Sequence, residues 1–171
     1  MPYHHLALAV RDMKAVHDFY TGAMGFELVR AEVAVTPTGG RARHYFYDTG
    51  GGEMMAFWEL DDPEIPREFP TGISAAAGLP DWVNHIAFRA RDLEELRKIR
   101  DRWVGLGLEV VEMDHHWCHS IYTKDPSGNL VEFCVTTGPV EDRDRALRAL
   151  AGEPLDPDPR PRISVHRPDA G

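Results

Sequence analysis

Two stretches of the chain carry the same hydrophobic pattern. His5-Leu6-Ala7-Leu8-Ala9-Val10-Arg11-Asp12 returns eighty residues later as His85-Ile86-Ala87-Phe88-Arg89-Ala90-Arg91-Asp92. In both, a histidine opens an apolar run and an Arg-Asp pair closes it before an amphipathic segment. The first run, residues 3–10, reads as a strand whose alanine-rich composition predicts burial on both faces. Asp12 is placed to cap a helix from Met13 to Met24, in which Val16, Phe19, Tyr20 and Met24 recur at helical spacing and Gly25 ends the run. Strands follow at about 26–35, 42–48 and 53–60, divided by Thr36-Pro37-Thr38-Gly39-Gly40 and Gly50-Gly51-Gly52. The second copy repeats this order. A strand at 83–90 leads to Asp92, with Glu95 at capping-box spacing, and Leu93, Leu96, Ile99 and Trp103 form the buried face of a helix ending near Gly105 and Gly107. Strands at about 107–113, 118–124 and 129–136 complete it, the last two joined by the tight turn Asp125-Pro126-Ser127-Gly128-Asn129. Each copy is β-α-β-β-β, and repetition on this scale marks two copies of one supersecondary unit.

The modules therefore span about 3–60 and 82–137, within one α+β domain of residues 1–138. A Pro-rich connection over 61–81 joins them. Beyond it, residues 139–171 change composition. Pro139 to Ala151 can form one short charged helix, and Pro154 to Gly171, rich in Pro, Asp and Arg, is expected to be extended or disordered. Ile163 and Val165 give that tail a small apolar grip for a partner subunit.

Charge removes some classes of partner. A formal charge of -9 disfavours nucleic acid and anionic membranes, both of which need clustered positive charge. Cys118 and Cys134 suit a reducing compartment, no apolar run is long enough to span a bilayer, and no signal-peptide pattern opens the chain, so a cytoplasmic location is expected.

The repeat also gathers chemistry. Two histidines at one structural address, His5 and His85, begin a metal site. Glu132 supplies a third donor: alternation puts Val131, Phe133 and Val135 on one face and leaves this carboxylate on the other with Leu130 and Cys134. Burying an ionised glutamate is costly unless a cation compensates it. Two imidazoles and a carboxylate form a facial triad suited to Fe(II) with open positions; Mn, Zn, Ni or Co fit the same donors. A lone histidine on an apolar strand, or a lone glutamate near a strand end, is more often an ordinary structural residue, and it is their joint occurrence at repeated positions that favours a site. The repeat aligns His4 with Asn84, so His4 is expected to point away. In the strand matching 129–136, Glu132 falls against Met55 or Ala56, neither a ligand, while Glu59 reaches inward only in a register the sequence leaves open.

These features resemble the vicinal oxygen chelate superfamily, which includes glyoxalase I, bleomycin- and fosfomycin-resistance proteins and type I extradiol dioxygenases. The resemblance rests on His-apolar-Ala-apolar, Asp12, Phe19-Tyr20, Gly25-Phe26, the turn 125–129 and Glu132, and covers about residues 3–137. It implies paired βαβββ modules forming a cupped mixed sheet around a metal, with one divalent ion per chain on His5, His85 and Glu132. The run from Ile121 to Glu132 looks like the closing signature of extradiol dioxygenases. That implies Tyr122 bonding a bound diol, and one of His115, His116 and His119 as acid/base; a histidine near its ordinary pKa shuttles protons at neutral pH. The expected function is then an Fe(II) extradiol-type ring-cleaving dioxygenase acting on a catecholic or related aromatic compound, in a homodimer. A redox-neutral glyoxalase- or epimerase-type enzyme using Glu59, and a metal-free ligand-sequestering protein, are the other readings. The short length and the spacing of His115-His116-Trp117-Cys118-His119 depart from the best-known extradiol enzymes.

Overall fold

The computed structural model describes residues 2–168. The chain divides into two compact units, one running to Ile86 and including Lys124–Val131, the other comprising Ala87–Thr123 and the residues from Glu132 onward. Each is built on one sheet, and together they are mixed α+β.

In the first unit β1 (His5–Val10), β2 (Glu27–Val35), β3 (Arg41–Asp48) and β4 (Met54–Asp61) form a sheet in the order β1-β4-β3-β2. The β1–β4 pair is parallel, and the β2–β3 and β3–β4 pairs are antiparallel. Helix α1 (Met13–Gly22) starts where Asp12 accepts the Ala15 N–H at 2.9 Å. It closes before Gly25, whose φ of 77° is open to glycine at no steric cost. Its face of Val16, Phe19 and Tyr20 buries against Tyr47 and Phe57, with the Tyr20 and Phe57 ring centroids 4.5 Å apart. Burial of β1 on both faces does not occur. It is an edge strand, and its first residues are exposed.

The closing turn of the second repeat belongs to this unit. Buried Asp125 accepts the N–H groups of Ser127 and Asn129 at 2.9 and 2.8 Å and the Tyr20 hydroxyl at 3.0 Å. Asn129 in turn accepts the Ile73 N–H at 2.9 Å, at the start of a four-residue helix, α2 (Ile73–Ala76), inside the connection. Burial and the Asp125 charge hold the Tyr20 phenol well above its ordinary pKa, so it stays a donor.

The second sheet has the order β5-β8-β7-β6-β9, from β5 (His85–Arg89), β6 (Val110–Asp114), β7 (Cys118–Lys124), β8 (Leu130–Thr136) and β9 (Arg162–His166). Helix α3 (Leu93–Gly105) is capped by Asp92, which accepts the Glu95 N–H at 2.8 Å, while the Glu95 carboxylate accepts the Arg91 N–H at 2.7 Å. Leu96, Ile99 and Trp103 bury beneath it, Trp103 reaching Phe133 at 5.8 Å. The charged helix α4 spans Arg143–Leu150. Over 162–166 the tail takes the extended form of the two expected. It forms β9, antiparallel to β6 from Val110↔His166 to Asp114↔Arg162, because Arg162-Ile163-Ser164-Val165-His166 alternates as a strand should. Among the described residues no helix is long and apolar enough to cross a membrane.

Candidate functional site

The ladders of the first sheet decide which side chains share a face with His5. His5 pairs with Met54, Ala7 with Ala56 and Ala9 with Trp58. Trp58 in turn pairs with His44 and Ala56 with Phe46. Residues directly opposed in a ladder point to one face, so His5, His44, Phe46, Ala56 and Trp58 share it. Glu59 lies on the other, α1-bearing face. There it pairs with Arg43 in the ladder, accepts the Arg43 guanidinium at 2.8 Å and the Tyr45 hydroxyl at 3.3 Å. Its strand parity, not its chemistry, removes it from the side of His5, and Ala56 occupies the inward position.

His4 does not point away. Its Nδ1 lies 2.8 Å from Nδ1 of His5, with the rings edge-on at 5.0 Å, so one imidazole donates to the other. When His5 is the donor, its Nε2 lone pair is left free, the state a metal ligand requires.

Sequence reasoning missed His44. It is 5% exposed, stacked on Trp58 at 3.7 Å and 10°, with its ring 6.0 Å from that of His5. Among the described residues its Nε2 is a buried side-chain nitrogen with no hydrogen-bond partner. Such an atom is costly to leave unpaired. Burial, with the neighbouring His5 adding to it, lowers the His44 pKa and favours neutral imidazole. The available signal was alternation: Ala42, His44 and Phe46 recur at period two, masked by Arg43 and Tyr45 between them.

In the second unit the β6–β7 hairpin separates the three candidate histidines. His115 turns its Nε2 to the Tyr122 hydroxyl at 3.1 Å. His116 occupies the turn with φ of 70°, and its ring donates to the Arg160 carbonyl at 3.2 Å. His119 lies on the opposite face of β7 from Tyr122, where its Nε2 donates to Glu112 at 2.8 Å. Alternation along β7 sets His119 apart from Tyr122, and the left-handed turn at His116 sets that residue apart from His115.

Tyr122 also shares a side-chain hydrogen bond with Glu132, as does Cys134. Burial raises the Tyr122 pKa well above the ordinary phenol range; a Ser120 hydrogen bond opposes this and the Glu132 charge adds to it. Cys134 is pushed up to about 11 by burial and then by Glu132, so neither a tyrosinate nor a thiolate forms here unaided near neutrality. Glu132 itself is 5% exposed. His5 and His85 belong to the first unit and Glu132 to the second. Among the described residues no three His, Cys, Asp or Glu side chains are gathered into a group that could hold a metal ion. The donor set has the right chemistry for a divalent cation, imidazole nitrogen and buried carboxylate, without the assembled cluster.

The family model for the Glyoxalase/Bleomycin resistance protein/Dioxygenase superfamily matches residues 3–133. The chain belongs to that superfamily. Solved structures of the same fold include a glyoxylase/bleomycin resistance protein/dioxygenase domain from Frankia sp. EAN1pec, at 14% identity and TM-score 0.62, covering 80% of this chain and 98% of that one. Lactoylglutathione lyase from Agrobacterium tumefaciens aligns at 24% identity and TM-score 0.52, over 78% of this chain and 92% of that one. The fosfomycin resistance protein FosX from Listeria monocytogenes, complexed with Mn(II) and sulfate ion, aligns at 21% identity and TM-score 0.51, over 80% and 93%. At these identities the likeness is one of fold. No curated protein matches the chain.

Proposed function

We propose that this superfamily member is a metal-dependent vicinal oxygen chelate enzyme, an Fe(II) extradiol-type dioxygenase acting on a catecholic or related aromatic compound, with His5, His85 and Glu132 as ligands. The observation that carries the reading is the Tyr122–His115 pair at 3.1 Å, with Tyr122 also bonded to buried Glu132. The phenol, held protonated by burial, gives its one O–H to Glu132 and would turn it to a bound oxygen to orient it, while the imidazole behind it takes or returns a proton. His115 is therefore the acid/base of this reading, in preference to His116 and His119. On the first sheet, Phe46, Trp58 and the buried His44 offer an aromatic wall, and His44 Nε2 is a second proton acceptor. The divalent cation, when bound, supplies Lewis-acid polarisation of two vicinal substrate oxygens. The glyoxalase-type alternative loses its base, because Glu59 is committed to the other face of its sheet.

The test is oxygen uptake by protein reconstituted anaerobically with Fe(II), against a panel of catechols, watching for a yellow ring-cleavage product. His85→Ala should abolish stoichiometric metal binding and leave the protein folded; one tight equivalent retained would remove the triad. Tyr122→Phe should keep the metal and lower turnover about 100-fold, and unchanged kinetics would take Tyr122 out of the site. A homodimer is part of the same reading. Ile163 and Val165 support it, being 56% and 44% exposed although β9 pairs within its own chain; a monomeric mass in sedimentation would count against it.

A further inference from the structure

On the α1-bearing face of the first sheet, the connection after β4 folds back and walls a cleft of about 990 Å³. That volume lies at the upper end of what small-molecule sites occupy. The wall is firmly built. Asp62 accepts the hydroxyls of Thr36 and Thr38 and the N–H of Glu64, which holds its carboxyl below the ordinary range. Gly40 runs so close to the start of the connection that a Cβ there would sit 2.6 Å from the Asp61 carbonyl oxygen.

Four arginines line this cleft in a chain whose net charge is -9: Arg11, Arg41, Arg43 and Arg67. Two are neutralised locally, Arg11 by Glu68 and Arg43 by Glu59. Arg41 and Arg67 make no ion pair among the described residues. Of the carboxylates in the lining, Glu59 and Asp62 are engaged as described; Asp61, across the ladder from Arg41, makes no side-chain hydrogen bond or ion pair among the described residues, and its charge acts on Arg43. The rest of the lining is apolar, with Val10, Ile65 and Phe69. A guanidinium fork matches a planar or tetrahedral oxyanion bidentately, and an apolar wall beside it fits a hydrophobic body.

We propose that this cleft is a second ligand site, on the face of the sheet opposite His5, for an organic anion with an apolar body. Arg41 and Arg67 take the carboxylate or phosphate head, and Ile65 and Phe69 cover the body. The site stands independently of the metal reading.

The probes are 2-naphthoate and 2-naphthyl phosphate, with 2-naphthalenemethanol as the uncharged control, titrated into the full chain. Calorimetry gives affinity, and amide ¹H–¹⁵N shifts give location. One equivalent of at least one anion is expected to bind, with shifts confined to residues 10–11, 36–43 and 59–69. The head that binds tighter names the ligand class. R41Q/R67Q should weaken it about tenfold or more, while H5A should leave it unchanged. Binding of neither anion, equal binding of the alcohol, shifts elsewhere, or a double variant within twofold of wild type would each overturn the proposal. Should the double variant melt, R41Q and R67Q singly are each expected to weaken binding at least threefold, and neither doing so has the same consequence.

Discussion

The two modules repeat in sequence but differ at matching places in their sheets. In the first, β2 is an outer strand with all nine residues exposed, and the β3–β4 turn at 49–53 is a glycine turn in solvent. In the second, the matching strand β6 is covered by β9, and the matching turn at 125–129 is sealed around Asp125. A repeated pattern thus fixes the helix and the strands that pack on it, because those depend on local periodicity. Edges and turns take whatever the rest of the chain offers them.

Removing what the second module gained should break the contrast most. A chain ending at Asp158 loses β9, its ladder to β6 and the His166 and Arg167 contacts to Glu112 and Glu109. We expect a loss of about 4 kcal/mol in urea unfolding, from several hydrogen bonds of ~1 kcal/mol each. A loss below ~1 kcal/mol would mean that β9 contributes little to the sheet. The turns give the next largest difference. Asp125→Ala deletes four hydrogen bonds, including those from Tyr20 and the Asn129 side chain, and should cost about 3 kcal/mol. Asp48→Ala at the matching turn removes one exposed bond to Gly50 and should cost ~0.5 kcal/mol. Equal costs would show that the burial difference carries no energetic weight.

What the sequence made legible follows the same division. The caps at Asp12 and Asp92, the helix faces, and the separation of Glu132 from Val131 and Phe133 all rest on spacing within one element. Glu59 was illegible because its face depends on register with β1 and β3, which a change of one residue inverts. The roles of His115, His116 and His119 were illegible for a related reason: three histidines within five residues differ by strand parity and by one left-handed turn residue. β9 was hidden by its Pro-rich surroundings, and His44 by flanking charge.

A smaller effect sharpens the contrast through pH. Burial pushes the Glu112 carboxyl up, but hydrogen bonds from Arg100, His119 and His166 outweigh it and leave the pKa below the ordinary 4.5. A carboxyl depressed in the folded state stabilises fully above its unfolded value and loses that contribution as pH falls through the folded one. Wild type should therefore exceed Glu112→Gln by about 1.5 kcal/mol near neutrality, and the gap should close below the ordinary value of 4.5. A gap unchanged at pH 3 would show that the contribution of Glu112 does not depend on its charge.

The smallest expected effect lies at the uncovered edge. Val33 is 70% exposed on β2, so Val33→Lys removes little buried apolar surface and should change unfolding free energy by less than ~0.5 kcal/mol. Its solubility should rise, since a lysine on an open edge opposes strand-to-strand pairing between chains. The decisive variable is protein concentration. If the cost stays small at every concentration, β2 is a bare edge and the asymmetry between the modules is a property of the monomer. If it grows with concentration, the valines of β2 are buried in an assembled species, and that edge is covered by another chain much as β6 is covered by its own.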